Sequence, residues 1–257
     1  MTNLNLNDLN LILKIAELAG QKILEIYNKD SIQSTQKIDK SPLTEADLLS
    51  HKFIKNALIK NYNDIPILSE EGDAFKSDEQ IFWCIDPLDG TKEFIKKNGE
   101  FTVNIALIKN KLPILGVIHI PVFNESFSAL RDYGAFHIKK GRTEKLVKQE
   151  NGKIKTPTFA VSRSHLNVET EGFIKKHNAK IIKAGSSLKL GLLARGKADA
   201  YPRFGPTSIW DIAAGHAILR ETGGDIYTKH YKPLLYNSNK IINPEIIAVR
   251  NRHLKFE

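Results

Sequence analysis

The chain is poor in sulfur, with one cysteine, Cys84, and one methionine in 257 residues. A lone cysteine excludes an intrachain disulfide framework and suits a reducing cytoplasm. Cys84 stands in the apolar run IFWCI, where a buried, inert thiol is the expectation rather than a nucleophile. No run of about 18 apolar residues occurs, so the sequence offers no membrane-spanning helix. The opening segment MTNLNLNDLNLILKIAELAG lacks a basic stretch and a small-residue cleavage site; it reads as an amphipathic helix and not as a signal peptide. Neither G-x-x-x-x-G-K-[ST] nor G-x-G-x-x-G is present, so nucleoside triphosphate and dinucleotide binding lack their usual signal. The eight histidines are dispersed, without a spacing that suits zinc. Internal repeats and low-complexity tracts are absent as well.

Charge of one sign is in excess, with 38 lysines and arginines against 29 acids, a net +9. The lysines are scattered and alternate with acids, as in KIAELAGQKILEIYNKD, and no arginine-rich arm or basic–aromatic repeat stands out. A solvated lysine-rich surface is therefore expected, with no specific nucleic-acid footprint. A positive field would also steer a small, highly anionic substrate towards the protein.

The length allows one large domain or two modest ones. Apolar spacing predicts a helix from about Asp8 to Tyr27, through Leu9, Ile12, Leu13, Ala16, Leu18, Ile23 and Leu24. A second is predicted from Thr44 to Leu58, with Thr44 as cap and Leu48, Leu49, Phe53 and Ala57 on one face. Short strand-like runs follow: IPILS, IFWCI, FTVNIALI, ILGVIHI, ESFSAL and GAFHI. They suggest an antiparallel or mixed sheet backed by the first two helices. The polar stretch KKGRTEKLVKQENGKIKTP is a candidate boundary between an N-terminal α+β subdomain, residues 1–140, and a C-terminal α/β subdomain, residues 155–257. Beyond it, strand-like TFAVS, AKIIKAG, ADAYPRF and EIIAV alternate with helical SSLKLGLLARG and SIWDIAAGHAILRETG. Two αβ halves facing each other would leave a cleft, a usual place for a ligand.

Acids concentrate at the ends of apolar elements. Asp47 falls in SPLTEAD, Glu70 and Glu71 in ILSEEG, Asp86 and Asp89 in CIDPLDGT, and Asp211 in SIWDIAAG. Hard divalent cations take such oxygens, and Mg²⁺ typically uses a few carboxylates together with water and phosphate oxygens. In the turn itself Pro87 fixes φ, Leu88 can offer its carbonyl, Gly90 permits a sharp bend, and Thr91 would open a short helix whose N–H groups suit a phosphate. An Asp-Gly pair alone is ordinary turn chemistry. Pro87, Thr91 and three further acidic segments point beyond that to a cation beside a phosphate.

LSEEG, WCIDPLDGTKEF and IWDIAAGHAI resemble the three signature segments of the inositol monophosphatase superfamily of Mg²⁺-dependent, lithium-sensitive phosphatases. DGTKEF is more similar to the 3'(2'),5'-bisphosphate nucleotidases, and NGEFTVNIALI, PILGVIHIPV, VSRSH, GSSLKL and YPRFGPTSIWD further resemble the bacterial CysQ-type enzymes. The similarity runs from about Ala19 to Pro233. It implies an α+β, or α/β, fold: the layered αβαβα sandwich shared with fructose-1,6-bisphosphatase. It implies metal ligands at Glu70, Asp86, the Leu88 carbonyl, Asp89 and Asp211, with Glu71 secondary. Asp47 and Thr91 match the pair that orients the attacking water.

The activity so implied is Mg²⁺-dependent removal of the 3'-phosphate from adenosine 3',5'-bisphosphate, and also from its 5'-phosphosulfate analogue, within sulfur metabolism. Two or three Mg²⁺ per site are expected. The substrate-binding set is Glu70, Leu88, Asp89, Gly90, Thr91, His165, Ser187, Lys189 and Asp211, with Lys189 reaching the retained 5'-phosphate. Read from the residues alone, Ser186 or Ser187 could equally be a helix N-cap and His165 a surface residue. Arg203 meets phosphate or pairs across the cleft, while Trp210 and His216 are expected in the core. The partner is a small nucleotide bisphosphate, as monomer or homodimer, in a cytoplasmic protein that could also sit peripherally at the inner membrane. Inositol phosphates or fructose 1,6-bisphosphate are the alternative substrates. A basic nucleic-acid-binding protein and a metal-dependent nuclease are the readings from other classes.

Overall fold

In a computed structural model, residues 4–36, 42–72, 79–149, 154–164 and 166–256 are described. Two helices come first, α1 (Leu6–Tyr27) and α2 (Glu45–Asn61), with a small antiparallel ribbon of β1 (Ser34–Gln36) and β2 (Pro42–Thr44) between them. Asn5 caps α1: its side chain accepts from the Asn7 N–H, and Asp8 returns a bond to the Asn5 N–H. Helix α2 carries the expected cap, Thr44. Its buried face differs from the expected one. Ala46, Asp47, Ser50, Ile54 and Leu58 point inward, Leu49, Phe53 and Ala57 pack at the margin, and Leu48 is 50% exposed. The helix is rotated so that two polar residues, Asp47 and Ser50, meet the acidic turn, and Leu48 is carried outward.

All six strand-like runs of the N-terminal half are strands. β3 (Ile67–Ser69), β4 (Ile81–Asp89), α3 (Thr91–Ile95), β5 (Thr102–Lys109), β6 (Leu112–Ile120), β7 (Glu125–Leu130), β8 (Gly134–Lys139) and β9 (Arg142–Leu146) follow in order. They form one seven-stranded sheet in sequence order, antiparallel except for the parallel pair β3–β4. Its central strands read as continuous apolar runs because helices cover both faces. The polar stretch read as a boundary therefore begins with a strand: Arg142–Leu146 adds the edge of the sheet, its charged side chains exposed as an edge requires.

The second sheet has the order β11-β10-β12-β14-β13, from β10 (Thr158–Ser162), β11 (Lys180–Ala184), β12 (Ala200–Arg203), β13 (Asp225–Thr228) and β14 (Ile246–Val249). Helices α4 (Val168–Lys176), α5 (Leu188–Ala194) and α6 (Ile209–Glu221) complete the chain. One core lies between α1, α2 and the seven-stranded sheet, a second between that sheet, α5, α6 and the five-stranded sheet, and a third under α4. The layers thus run helix, sheet, helix, sheet, helix, as the αβαβα expectation holds. α4 and β13 escaped the sequence reading, since α4 buries only Thr170 and β13 has a mixed pattern.

Candidate active site

Strand β4 leaves the core at Asp86. Its register against β5 shifts between Asp86 and Asp89, a bulge that lets the chain turn while remaining paired. The turn is held from both sides: the Leu88 N–H donates to Asp86 Oδ1 at 3.1 Å, and Ser50 Oγ from α2 donates to the Pro87 carbonyl at 2.8 Å. Gly90 follows with φ +92°, and any Cβ there would collide with Ser186 Oγ. Only glycine serves on both counts. Helix α3 is then pinned by Phe94, which with Phe101 and Tyr27 of α1 forms an aromatic triad with centroids 5.0–5.4 Å apart. Such pairs contribute about 1 kcal/mol each beyond area burial.

Asp47 and Asp211 arrive by a shared device. Each is the third residue of its helix and completes a capping box: the Thr44 N–H donates to Asp47 Oδ2 at 2.8 Å, and the Ser208 N–H donates to Asp211 Oδ2 at 2.9 Å. One oxygen fixes the carboxylate and the other is left for the site. For Asp47 that oxygen, Oδ1, accepts from Thr91 Oγ1 at 3.1 Å. Thr91 Oγ1 also stands 3.4 Å from the Leu88 carbonyl.

Asp89 and Asp211 are joined through Ser187, whose Oγ lies 3.1 Å from Asp89 Oδ2 and 2.6 Å from the Asp211 carbonyl. Asn104 of β5 donates to Ser187 Oγ at 3.0 Å and approaches Asp89 Oδ2 at 3.4 Å; Thr102 Oγ1 lies 3.5 Å from that same oxygen. Ser186, at φ +47°, donates to the Asp89 carbonyl at 2.6 Å. Lys189 is buried, its Nζ on the Ser186 and Ala184 carbonyls and 5.1 Å above the Tyr201 ring. Burial pulls the Lys189 ammonium down to about 8, opposed by the Asp89 charge.

Negative charge is crowded here. Burial first, then the charges of Glu70, Asp89 and Asp211, push the Asp86 carboxyl well above its ordinary range, and Glu70 shares a hydrogen bond with it. Asp211 is raised by burial and by Asp89; Asp89 is raised by burial despite Lys189. Among the described residues no group of three or more His, Cys, Asp or Glu side chains is arranged to hold an ion unaided. The donor set nevertheless suits a hard cation. It is all oxygen, anionic in excess and supplemented by the Leu88 carbonyl, and Mg²⁺ is ordinarily completed by water and phosphate oxygens and not by an all-protein cage.

A cleft of about 460 Å³ opens beside these groups, with Asp89, Gly90, Thr91, Ser187, Lys189 and Asp211 in its walls. Arg203 also lines it and donates to the Pro206 carbonyl at 3.0 Å. His165 lies outside the described residues. Trp210 packs partly buried against the core, and His216 is fully enclosed between Tyr236 and Asp225, at 2.9 and 2.6 Å. The Cys84 thiol is buried and pushed up by that burial.

Sequence reasoning missed Asn104 and Thr102. The signal was available: two polar residues in the otherwise apolar FTVNIALI, both buried, must find partners. It also missed the clamp between halves, where Arg163 grips Glu100 at 2.7 and 2.6 Å and Ser164 Oγ donates to Glu93 at 2.6 Å.

Comparison with known proteins gives a consistent picture. The sequence profile of the inositol monophosphatase family matches residues 7–255. A 3'(2'),5'-bisphosphate nucleotidase CysQ from Shigella flexneri is 41% identical over 244 residues, covering 92% of this chain and 97% of the relative. The protein of the same name from Buchnera aphidicola is 43% identical over 225 residues, 86% of this chain and 84% of the relative. Among solved structures, CysQ from Bacteroides thetaiotaomicron superposes with a TM-score of 0.79 at 42% identity, over 95% of this chain and 97% of that one. An inositol monophosphatase from Anabaena gives 0.77 at 25% identity, over 98% and 93%.

Proposed function

The chain belongs to the inositol monophosphatase family, and from that premise we propose that its acidic cleft removes the 3'-phosphate of adenosine 3',5'-bisphosphate, yielding AMP and phosphate. The observation that carries this reading is the convergence of carboxylates from separate segments on one cleft, beside a hydroxyl already bonded to a carboxylate. Its similarity to relatives named as bisphosphate nucleotidases, over nearly the whole chain, favours a nucleotide over an inositol phosphate or fructose 1,6-bisphosphate. The 5'-phosphosulfate analogue carries the same 3'-phosphate and is a second substrate on this reading.

Glu70, Asp86 and the Leu88 carbonyl would hold one Mg²⁺, and Asp86, Asp89 and Asp211 a second. Bound there, Mg²⁺ supplies charge neutralisation for the phosphoryl group and acidifies the attacking water. The chain's own part is positional. Asp47 accepts the Thr91 proton and so turns the Thr91 oxygen lone pairs towards a water, which Thr91 orients and helps to deprotonate. The Gly90 and Thr91 N–H groups are the donors we assign to the phosphoryl oxygens. Ser187 and Lys189 form the wall assigned to the nucleotide, with His165 completing that set. Asn104 and Thr102 keep Asp89 in place, so its carboxylate does not reorganise during the reaction.

Phosphate release from adenosine 3',5'-bisphosphate, measured with Mg²⁺, with EDTA and with added Li⁺, tests this. Release that needs Mg²⁺ and falls with Li⁺ is expected. Faster release from an inositol phosphate or from fructose 1,6-bisphosphate would move the assignment to those substrates.

A further inference from the structure

A larger cavity, of about 560 Å³, lies away from the acidic cleft. Asp211 begins α6 in the cleft, while Arg220 and Glu221 end it in this second cavity. Nine helical steps lead from Asp211 to Arg220, about 14 Å. The two cavities are therefore distinct, with no lining residue in common.

The second cavity is basic. Arg131, Lys145, Lys148, Arg220 and Arg252 line it, against two acids, Asp132 and Glu221. Glu221 is already engaged, accepting from the Gly134 N–H at 3.1 Å. Arg220 reaches Asp225 only at 3.9 Å. Among the described residues the Arg131 guanidinium makes no hydrogen bond and no ion pair within 4 Å. Partial burial and the Arg220 charge hold Arg131 below its ordinary value, opposed in part by the charges of Asp132 and Glu221. Arg131 and Arg220 line the same cavity and repel, with Asp132, Glu221 and Asp225 only partly offsetting that repulsion, and an anion held between them would relieve it. A basic residue in the last turn of α6 is expected from the helix dipole, but that accounts for Arg220 alone.

The remaining wall is apolar and aromatic. Pro113, Ile114 and Leu146 line it, and the tight turn through Asp132 (φ +70°) and Gly134 (φ +100°) presents Tyr133, 41% exposed, at the rim. The volume falls in the range of small-ligand sites and exceeds what a phosphate ion fills.

We propose that this cavity is a second binding site, for a nucleoside monophosphate: the phosphate lies between Arg131 and Arg220, and the base lies against Tyr133 and the apolar wall. Guanidinium pairs take phosphate oxygens in forked contacts, and an exposed tyrosine ring offers a stacking face. The site stands whether or not the acidic cleft hydrolyses a nucleotide.

Calorimetric titration of the whole protein with 5'-AMP in EDTA tests it, because without a metal ion the acidic cleft repels phosphate. The wild type is expected to bind one equivalent, and Arg131→Gln and Lys148→Gln to weaken binding, Arg131→Gln by at least tenfold. Lys189→Gln, in the acidic cleft, is expected to leave affinity unchanged. Inorganic phosphate should compete, more weakly than AMP. Melting curves establish that each variant is folded, and Lys148→Gln keeps the test open should Arg131→Gln unfold. No binding by the wild type, equal affinity in the Arg131 and Lys148 variants, or loss confined to Lys189→Gln would overturn the site.

Discussion

Asp47 and Asp211 occupy equivalent positions in two unrelated helices. Each is the third residue, and each spends Oδ2 on the N–H of its cap, Thr44 or Ser208. A carboxylate on a flexible side chain loses rotamer freedom whenever it takes part in a reaction; here that loss is already met in the folded state. The capping box, usually a stabilising device, also aims the second oxygen at the cleft.

Thr91 and Asp47 should therefore behave as one unit. Thr91→Ala removes the hydroxyl and its neighbouring γ-methyl at a half-buried position and is expected to lower kcat by 10²- to 10⁴-fold, with little change in melting temperature. Asp47→Asn should lower kcat comparably, and the double variant little further, because both remove the same interaction. Steady-state kinetics on the three proteins checks this. Additive losses would separate the two residues.

Asp86 tests the charge balance. Its carboxyl is buried among Glu70, Asp89 and Asp211. Asp86→Asn removes one charge from a repelling group, so in EDTA the variant is expected to melt at or above the wild-type temperature. With Mg²⁺ the order should reverse, since the wild type gains stability from binding and the variant does not. Turnover should fall by 10³-fold or more. Melting curves with and without Mg²⁺ read all of this except the rate, and a variant that melts much lower in EDTA would deny the repulsion.

Ser187 sits where two functions compete. Its hydroxyl, buried and shared between Asp89 and the Asp211 carbonyl, orders the carboxylates as well as bordering the cleft. Ser187→Ala is expected to lower kcat by about tenfold and to raise KM by less. A change confined to KM would make it a pure nucleotide contact.

The sequence made the chemistry more legible than the packing. Asp86, Pro87 and Asp89 fall within four consecutive residues, and a proline between acids after an apolar run is hard to explain except by a turn with a task. The strands of the large sheet were legible because each is a short apolar run ended by turn residues. The facing of α2 was not. Hydrophobic spacing favoured Leu48, whereas the bond from Ser50 to the Pro87 carbonyl and that between Asp47 and Thr91 turn the helix the other way. Those bonds join residues 37 and 44 positions apart, and no local pattern encodes them. The Ser187 bridge, spanning 98 residues to Asp89, was hidden for the same reason.

His119 gives a prediction outside the site. It is buried on β6 beside Gly20 of α1, where a Cβ would meet its ring at 2.6 Å, and its Nδ1 lies 2.8 Å from Ser126 Oγ. Burial lowers its pKa to about 4 from the ordinary 6.5. Between those values the unfolded chain takes up a proton that the folded one refuses. The stability associated with the neutral ring is therefore whole above pH 6.5 and is lost as pH falls towards 4. At about 1.4 kcal/mol per pH unit, the full loss is about 3 kcal/mol. His119→Gln keeps a polar group near Ser126 but cannot titrate, so its urea-unfolding free energy should depend less on pH across this window. Comparing the slopes of the two proteins from pH 7 to 4.5 isolates the histidine from the carboxylates, which titrate alike in both; parallel slopes would mean that the folded protein protonates His119 as readily as the unfolded chain does.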